Sequence, residues 1–232
     1  MRSPSPPPAT RSVPRLFLAR VIASAGLASL VLLLLVVLEW EPLMALERDV
    51  LVPLHDLAVS DPGLTRTNRI LSDWVWDPWT MRALCAVMVA WLLWQGARLL
   101  AVCVAATSLA GTLLQQVLKW AVGRERPAWR DPVDSAHFNA YPSGHAMTAT
   151  VACALLVWLL YRYRARSSLW RGGLVLAAVS VLGAGVTRLY LGVHWPTDVL
   201  AGWLFGVLLV AVTALAWGRW SLAASRPGPE AG

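Results

Sequence analysis

The sequence predicts an all-α fold, a polytopic membrane bundle of about six transmembrane helices. Hydrophobic residues make up 57% of the 232-residue chain and charged residues 14%, whereas soluble domains carry about 25% charged residues. The mean hydropathy of +0.57 agrees, and the apolar residues fall into long runs. Each bilayer crossing takes roughly 20 residues. The length therefore suits one bundle with short loops, without a second domain.

Six apolar runs are long enough to be spans. They are Leu16–Leu38, Trp79–Trp94, Leu99–Val122, Gly144–Tyr161, Gly172–Tyr190 and Thr197–Trp217. The first is interpreted as a retained helix, because no small-residue cleavage pattern follows it as it would a signal peptide. Residues 1–15 are rich in Pro and Ser and are expected to be a flexible cytoplasmic tail. Residues 16–220 then form the domain, and 221–232 a second cytoplasmic tail.

The charges in the loops predict the orientation. If the spans alternate, one side receives most of the arginines outside the polar clusters, and that side should be cytoplasmic. These arginines are Arg2, Arg11, Arg15, Arg98, Arg162, Arg164, Arg166, Arg171, Arg219 and Arg226. The opposite side receives the acidic loop 39–78, in which we expect a short helix on the outer interface. We therefore predict a multi-pass protein of the inner (plasma) membrane, with both termini cytoplasmic.

Other features indicate packing rather than binding. Cys85, Cys103 and Cys153 lie inside apolar runs without paired spacing, and are interpreted as small core residues. The net charge of +7 is explained by orientation in an anionic membrane, and no basic stretch with interleaved aromatic residues predicts nucleic-acid binding. Gly202 and Gly206 are typical of helix packing, with a homodimer contact as the alternative.

The first polar cluster is Lys119 with Arg126-Pro127. Lys119 is the only lysine of the chain, and two helical turns separate it from Arg126. We expect both side chains on one helix face at the outer end of the third span, with Pro127 ending the helix. Two cations there can hold an anion, although snorkelling to the interface would also explain them.

The second cluster is Pro142-Ser143-Gly144-His145, directly before an apolar helical run. Ser143 is the expected N-cap, and the free backbone N–H groups beyond it favour a phosphate. Gly144 permits close approach of the backbone. His145 lies in the first turn, within reach of a leaving-group oxygen. Ordinary capping explains the tetrapeptide equally well.

The third cluster is Thr187-Arg188, His194 and Asp198. Pro196 favours a helix start, which places Asp198 in the first turn. A carboxylate there can accept a hydrogen bond from one imidazole nitrogen of His194 and leave the other as a nucleophile. A buried, satisfied histidine is the alternative. Ionisable residues at the mouth of a membrane bundle are usually functional, which favours a site.

In type, order and spacing, the three clusters resemble the signature of the type 2 phosphatidic acid phosphatase (PAP2) superfamily. Three elements match. Six residues separate Lys119 from Arg126-Pro127, and Pro142-Ser143-Gly144-His145 follows. In the third element, five residues separate Arg188 from His194, and three more separate His194 from Asp198. The six-span layout with an outward-facing site also resembles its membrane members. Thr187 departs from the family's usual serine but keeps a hydroxyl.

The resemblance implies a role for each residue. Phosphate would be bound by the cations and the helix start, that is by Lys119, Arg126, Ser143, Gly144 and Arg188. His194 would attack phosphorus to form a phosphohistidine, Asp198 would orient it, and His145 would protonate the leaving oxygen and later activate water. No metal or other cofactor is required, since cations take the place of magnesium.

The predicted function is a metal-independent integral membrane lipid phosphatase. Phosphatidic acid, phosphatidylglycerol phosphate and undecaprenyl diphosphate all fit as lipid phosphate substrates. Phosphotransfer to a lipid or sugar hydroxyl is one alternative, and a non-catalytic headgroup transporter or scaffold is another. His55 and His137 lie in outer loops outside the three clusters and are expected to be surface residues. Four loop charges close in sequence to the site are expected to be solvated, with contact to a second phosphate or a headgroup as the alternative: Arg124, Arg130, Asp131 and Asp134.

Overall fold

The computed structural model describes residues 11–224, and this part of the chain is all-helical, as predicted. The predicted tails at 1–15 and 221–232 lie largely outside the described residues. The helices are α1 Arg15–Val37, α2 Glu41–Ser60, α3 Pro62–Ile70, α4 Pro78–Trp94, α5 Arg98–Val122, α6 Gly144–Arg162, α7 Ser167–Tyr190 and α8 Pro196–Ala224, with a π-helical turn at Leu71–Val75 after α3.

Each of the six predicted spans is a helix. Five of them, α1, α5, α6, α7 and α8, are long and apolar enough to cross a membrane. The sixth, α4, has 17 residues, which is at the lower limit for a crossing. The protein is therefore a multi-pass membrane protein.

The predicted boundaries differ most at α8, which ends at Ala224 rather than at Trp217, and at α7, which begins at Ser167 rather than at Gly172. The Gly172-Gly173 pair, where the predicted span begins, lies inside α7. A Cβ atom at Gly173 would lie 2.5 Å from Leu160 Cδ1 of α6. Glycine is thus used here for close packing of two helices, which offsets its low helix propensity.

The segment between α1 and α4 folds differently from the expected short interfacial helix. α2 is 20 residues long, continues through Pro53, and buries Glu47, Leu51, His55 and Ala58 on one face. This face packs against α7 and α8. The sequence did not predict it because two of the four buried residues are ionisable. The outer segment is thus part of the bundle.

At the centre of the bundle lies α6, which contacts α4, α5, α7 and α8. Gly202 and Gly206 of α8 face it, as predicted for helix packing. A Cβ atom at Gly202 would lie 2.8 Å from the Ser143 carbonyl oxygen, and one at Gly206 would lie 2.6 Å from Thr150 Cβ. Because α6 covers this glycine surface of α8, a homodimer would have to form through a different surface.

Gly206→Ala is expected to destabilise the bundle by about 1–3 kcal/mol, because the added methyl overpacks the α6–α8 contact. Gly218→Ala, on the same helix, is the matched control, since a Cβ atom at Gly218 meets nothing within 4 Å. Thermal unfolding of the two variants in one detergent checks the prediction. Equal melting temperatures would contradict it.

Candidate active site

The three polar clusters meet at one end of the bundle. Lys119 lies in the last turn of α5 and Arg188 in the last turn of α7, while Gly144 begins α6 and Asp198 lies in the first turn of α8. Since these four helices alternate in direction, two C-terminal and two N-terminal ends converge there. The clusters are distant in sequence but adjacent in the fold.

His194 and Asp198 form the centre of this site. His194 is 2% exposed and Asp198 is fully buried. His194 Nδ1 lies 3.4 Å from Asp198 Oδ2, and the Trp195 backbone N–H donates to the same oxygen at 2.8 Å. Pro196 begins α8, as predicted, so the short link between the two residues is fixed.

The tautomer of His194 follows from its contact with Arg126. Arg126 Nη1 lies 3.2 Å from His194 Nε2. A guanidinium only donates hydrogen bonds, so Nε2 must accept and carries no proton. The neutral ring therefore has its proton on Nδ1, facing Asp198. This leaves the Nε2 lone pair directed toward the cations.

His194 is held in the neutral form. Burial, followed by the positive charges of Arg126, Arg188 and Lys119, holds the pKa of its ring well below the ordinary value. An unprotonated imidazole is what a nucleophile requires. The cations that could bind an anion therefore also keep His194 reactive.

We expect the free protein to keep His194 neutral at pH 5.5, where an ordinary histidine with a pKa of about 6.5 is mostly protonated. Nitrogen NMR of ¹⁵N-histidine-labelled protein in detergent checks this, since the chain has only four histidines. The His194 signals are those absent from the His194→Ala spectrum. A titration midpoint at or above pH 5.5 would contradict the prediction.

Lys119 and Arg126 are held by backbone carbonyls near the site. Lys119 Nζ donates to the Asn139 carbonyl, and Asn139 Nδ2 donates back to the Lys119 carbonyl at 2.8 Å. Arg126 Nε donates to the Phe138 carbonyl at 2.8 Å. Burial and the nearby Arg188 charge lower the pKa of Arg126 to about 10, so it stays cationic at neutral pH.

The prediction that Lys119 and Arg126 lie on one helix face is wrong. α5 ends at Val122, where Gly123 adopts a left-handed conformation with φ 64°. This glycine, rather than Pro127, ends the helix. Arg126 therefore lies in the following loop, which folds back so that its guanidinium still reaches His194.

Arg188 is 4% exposed, and only part of its guanidinium has hydrogen-bond partners. Its Nη1 donates to Ser72 Oγ at 2.7 Å and lies 3.8 Å from Asp134 Oδ2. Its Nε is buried and has no hydrogen-bond partner among the described residues. Buried guanidinium groups are normally paired, so this N–H is available to an anion.

Ser143 takes the N-cap position of α6, but its side chain makes no capping hydrogen bond. Its hydroxyl is buried and has no partner in the part of the chain that the structure describes. Its backbone N–H donates to the Asp198 carbonyl at 2.9 Å. Ser143 therefore occupies the predicted N-cap position without donating or accepting a capping hydrogen bond through its side chain. Its hydroxyl remains available to a ligand.

Gly144 and His145 complete the predicted set. A Cβ atom at Gly144 would lie 2.6 Å from Gln115 Nε2, so a larger residue there would have to displace that amide. His145, in the first turn of α6, lies within electrostatic range of His194, Arg188 and Lys119. The structure thus brings all eight predicted site residues together.

Two buried residues at the site are not in the predicted set. Arg124, predicted to be a solvated loop charge, instead donates to Asp198 Oδ1 at 2.7 Å and to Glu47 Oε2 at 2.5 Å. The position of Arg124 in the loop between Lys119 and Arg126 was a signal that could have identified it. Glu47 carries no local signal, because its partner Thr197 is 150 residues away.

The two histidines outside the clusters differ. His55 was predicted to lie at the surface, but it is buried and stacks on Trp129 with ring centroids 3.9 Å apart. Trp129 Nε1 in turn donates to the Gly192 carbonyl at 2.8 Å, two residues before His194. His55 therefore supports the loop carrying His194, whereas His137 is exposed as predicted.

Fold and site together define a multi-pass membrane protein with a histidine–carboxylate pair in a cationic pocket. The PAP2 superfamily model matches residues 96–221, more than half of the chain. The chain belongs to the PAP2 superfamily, as its motifs predicted.

Named relatives match part of the chain. Phosphatidylglycerophosphatase B of Bacillus subtilis (strain 168) is 36% identical over 98 residues, covering 42% of this chain and 48% of the relative. A lipid A 1-phosphatase of Rhizobium etli is 32% identical over 119 residues, covering 47% of each chain. The chain thus spans about half the length of these curated relatives.

A solved structure shows the same fold. The crystal structure of a transmembrane PAP2 type phosphatidylglycerolphosphate phosphatase from Bacillus subtilis matches with a TM-score of 0.73 and 21% sequence identity. The match covers 86% of this chain and 96% of that one. The predicted bundle architecture is therefore confirmed.

Proposed function

We propose that this protein is a metal-independent membrane lipid phosphatase that removes a terminal phosphate through a phosphohistidine. The observation that carries the proposal is the His194 Nε2 lone pair, which lies 3.2 Å from Arg126 Nη1 in a pocket with two further cations, Lys119 and Arg188. The buried Ser143 hydroxyl and Arg188 Nε have no partner among the described residues. A phosphoryl group would satisfy both.

In the first step, the Nε2 lone pair of His194 attacks phosphorus and the bond from phosphorus to the lipid oxygen breaks. His145, which takes up a proton when the phosphate dianion binds beside it, gives that proton to this oxygen, so a neutral alcohol leaves. Asp198 holds the Nδ1 proton and stabilises the positive charge that the ring acquires. Lys119 and Arg126 would neutralise charge on the phosphoryl oxygens.

In the second step, His145 takes a proton from water, and the hydroxide attacks phosphorus as the phosphorus–nitrogen bond breaks. This restores neutral His194 and protonated His145, and it releases inorganic phosphate. Each proton is therefore returned within one cycle. Three protein cations supply the charge neutralisation that magnesium gives in many phosphoryl-transfer enzymes.

The proposed substrate is an amphiphile with a terminal phosphate or diphosphate, its tails lying among the spans. Phosphatidic acid, phosphatidylglycerol phosphate and undecaprenyl diphosphate have this chemistry. We further propose a plasma-membrane location with the site facing outward and the termini cytoplasmic. Arg162, Arg164 and Arg166, between α6 and α7 at the opposite end from the site, support that orientation.

Phosphate release by the detergent-purified protein tests the proposal. The three lipids are assayed separately with EDTA present, with and without a lipid or sugar alcohol as acceptor. Release of inorganic phosphate from at least one lipid is the expected result. Phosphate recovered only on the acceptor would indicate a phosphotransferase, and headgroup binding without release would indicate a transporter or scaffold.

A further inference from the structure

A buried ion cluster links α2 to the catalytic histidine through the loop after α5. Arg124 Nη1 lies 2.7 Å from Asp198 Oδ1, and Arg124 Nη2 lies 2.5 Å from Glu47 Oε2. The side chains of Arg124, Glu47 and Asp198 are 11%, 2% and 0% exposed. One guanidinium thus serves two buried carboxylates. Such an arrangement is costly unless its geometry is well satisfied.

Glu47 also fixes the start of α8. Its Oε1 accepts from the Thr197 backbone N–H at 3.1 Å and from the Thr197 hydroxyl at 2.5 Å. Thr197 precedes Asp198 directly. Glu47 therefore restrains the aspartate twice, once through the backbone and once through Arg124.

We propose that Glu47 and Arg124 are positioning residues that hold Asp198 against the Nδ1–H of His194. Asp198 Oδ1 is taken by Arg124, so only Oδ2 faces the ring, at 3.4 Å from Nδ1. Neither positioning residue is placed to touch a phosphoryl group. The kinetic part of this inference rests on the proposed function, in which His194 is the nucleophile.

The shared guanidinium has an electrostatic effect as well. Because Arg124 divides its positive charge between two carboxylates, Asp198 keeps negative charge toward His194. That charge is needed when the ring becomes cationic on bonding to phosphorus. Removing the Glu47 charge lets the guanidinium neutralise Asp198 more fully, which weakens the hydrogen bond to Nδ1.

Glu47→Gln preserves the shape of the side chain and removes its charge. We expect kcat to fall about 10- to 100-fold, the range found when outer partners of a metal-binding histidine are removed. KM should change less than about two-fold, since substrate contacts remain. The inhibition constant of inorganic phosphate should also be kept, because Lys119, Arg126 and Arg188 are unchanged.

The matched control is Glu41→Gln on the same helix. Glu41 pairs with Arg48 at 2.5 Å, but its side chain is 74% exposed, so the variant loses the same charge away from the site. It should retain the parent's kcat. A Glu47→Gln protein with the kcat of Glu41→Gln, or one that loses affinity for inorganic phosphate in step with kcat, would overturn the positioning role.

Arg124→Ala offers a second kinetic test. Added guanidinium ion should restore part of kcat, whereas methylammonium should not, because only a planar fork can bridge two carboxylates. A variant damaged merely in folding would respond to neither ion. Equal rescue by both would show that charge alone matters and would overturn the bridging geometry.

A third measurement does not depend on activity. Proton-detected solid-state NMR of ¹⁵N-histidine-labelled protein in vesicles reports the Nδ1–H of His194, assigned by its loss in His194→Ala. In Glu47→Gln the Nδ1 proton should move upfield as its hydrogen bond weakens, while Glu41→Gln should match the parent. An unchanged resonance would overturn the inference. A parent inactive on every lipid would refute the proposed function, and this resonance would still decide the positioning role.

Discussion

His194→Ala is expected to reduce lipid-phosphate hydrolysis by a factor of about 10⁴ or more, as when a nucleophile or its base is removed from other enzymes that form a covalent intermediate. In the proposed mechanism the Nε2 atom supplies the electron pair for the new bond to phosphorus. Lys119, Arg126 and Arg188 remain, so substrate binding should survive. Initial rates on the best lipid substrate, together with the inhibition constant of inorganic phosphate, measure the two effects separately.

His137→Ala is the matched control, because His137 is an exposed histidine whose carbonyl, rather than its ring, contacts Arg126. It should retain the parent's activity. The absence of phosphohistidine in His194→Ala after mixing with substrate and quenching in alkaline detergent, which preserves the phosphorus–nitrogen bond, gives a direct readout. A correctly inserted His194→Ala protein with appreciable hydrolysis would rule out the proposed nucleophile.

Arg188→Lys is expected to lower kcat/KM by about 10²- to 10³-fold, the usual cost of losing one donor to transition-state charge. The charge is retained, but an ammonium cannot reach Ser72 Oγ, 2.7 Å from Nη1, and also present a second N–H to phosphate. Lysine is a point donor, whereas arginine is a planar fork. Kinetics on a short-chain lipid phosphate check the value.

Arg171→Lys is the control for this substitution, since Arg171 is exposed near the opposite end of the same helix. It makes the same chemical change away from the site. Its kinetics should match those of the parent, and both variants should unfold at similar temperatures. Full activity in Arg188→Lys would mean that Arg188 is only a counter-ion for Asp134.

Most of the bundle could be predicted from the sequence because spans are defined by local composition. The run Leu99–Val122 differs from the observed α5 by one residue. By contrast, the span predicted to begin at Gly172 starts too late, because Gly173 lies inside α7 and packs closely against Leu160. Whether a glycine ends or packs a helix depends on its neighbour in space.

The predicted site residues lie within short motifs whose spacing is visible along the chain. Glu47 could not be found this way, since its carboxylate differs from the other acids of its loop only in the contact with Thr197 and Arg124. His55 was placed at the surface because a lone polar residue gives no sign of burial, and its contact with Trp129 crosses from α2 to a distant loop.

The hydrogen bond from Arg126 to His194 Nε2, 3.2 Å long, has a consequence for chemical selectivity. A lone pair already engaged by a donor is masked from uncharged electrophiles. An anion that draws the guanidinium toward its own oxygens unmasks it. In the proposed mechanism, the resting site therefore selects reactants by their charge before the leaving group has made any contact.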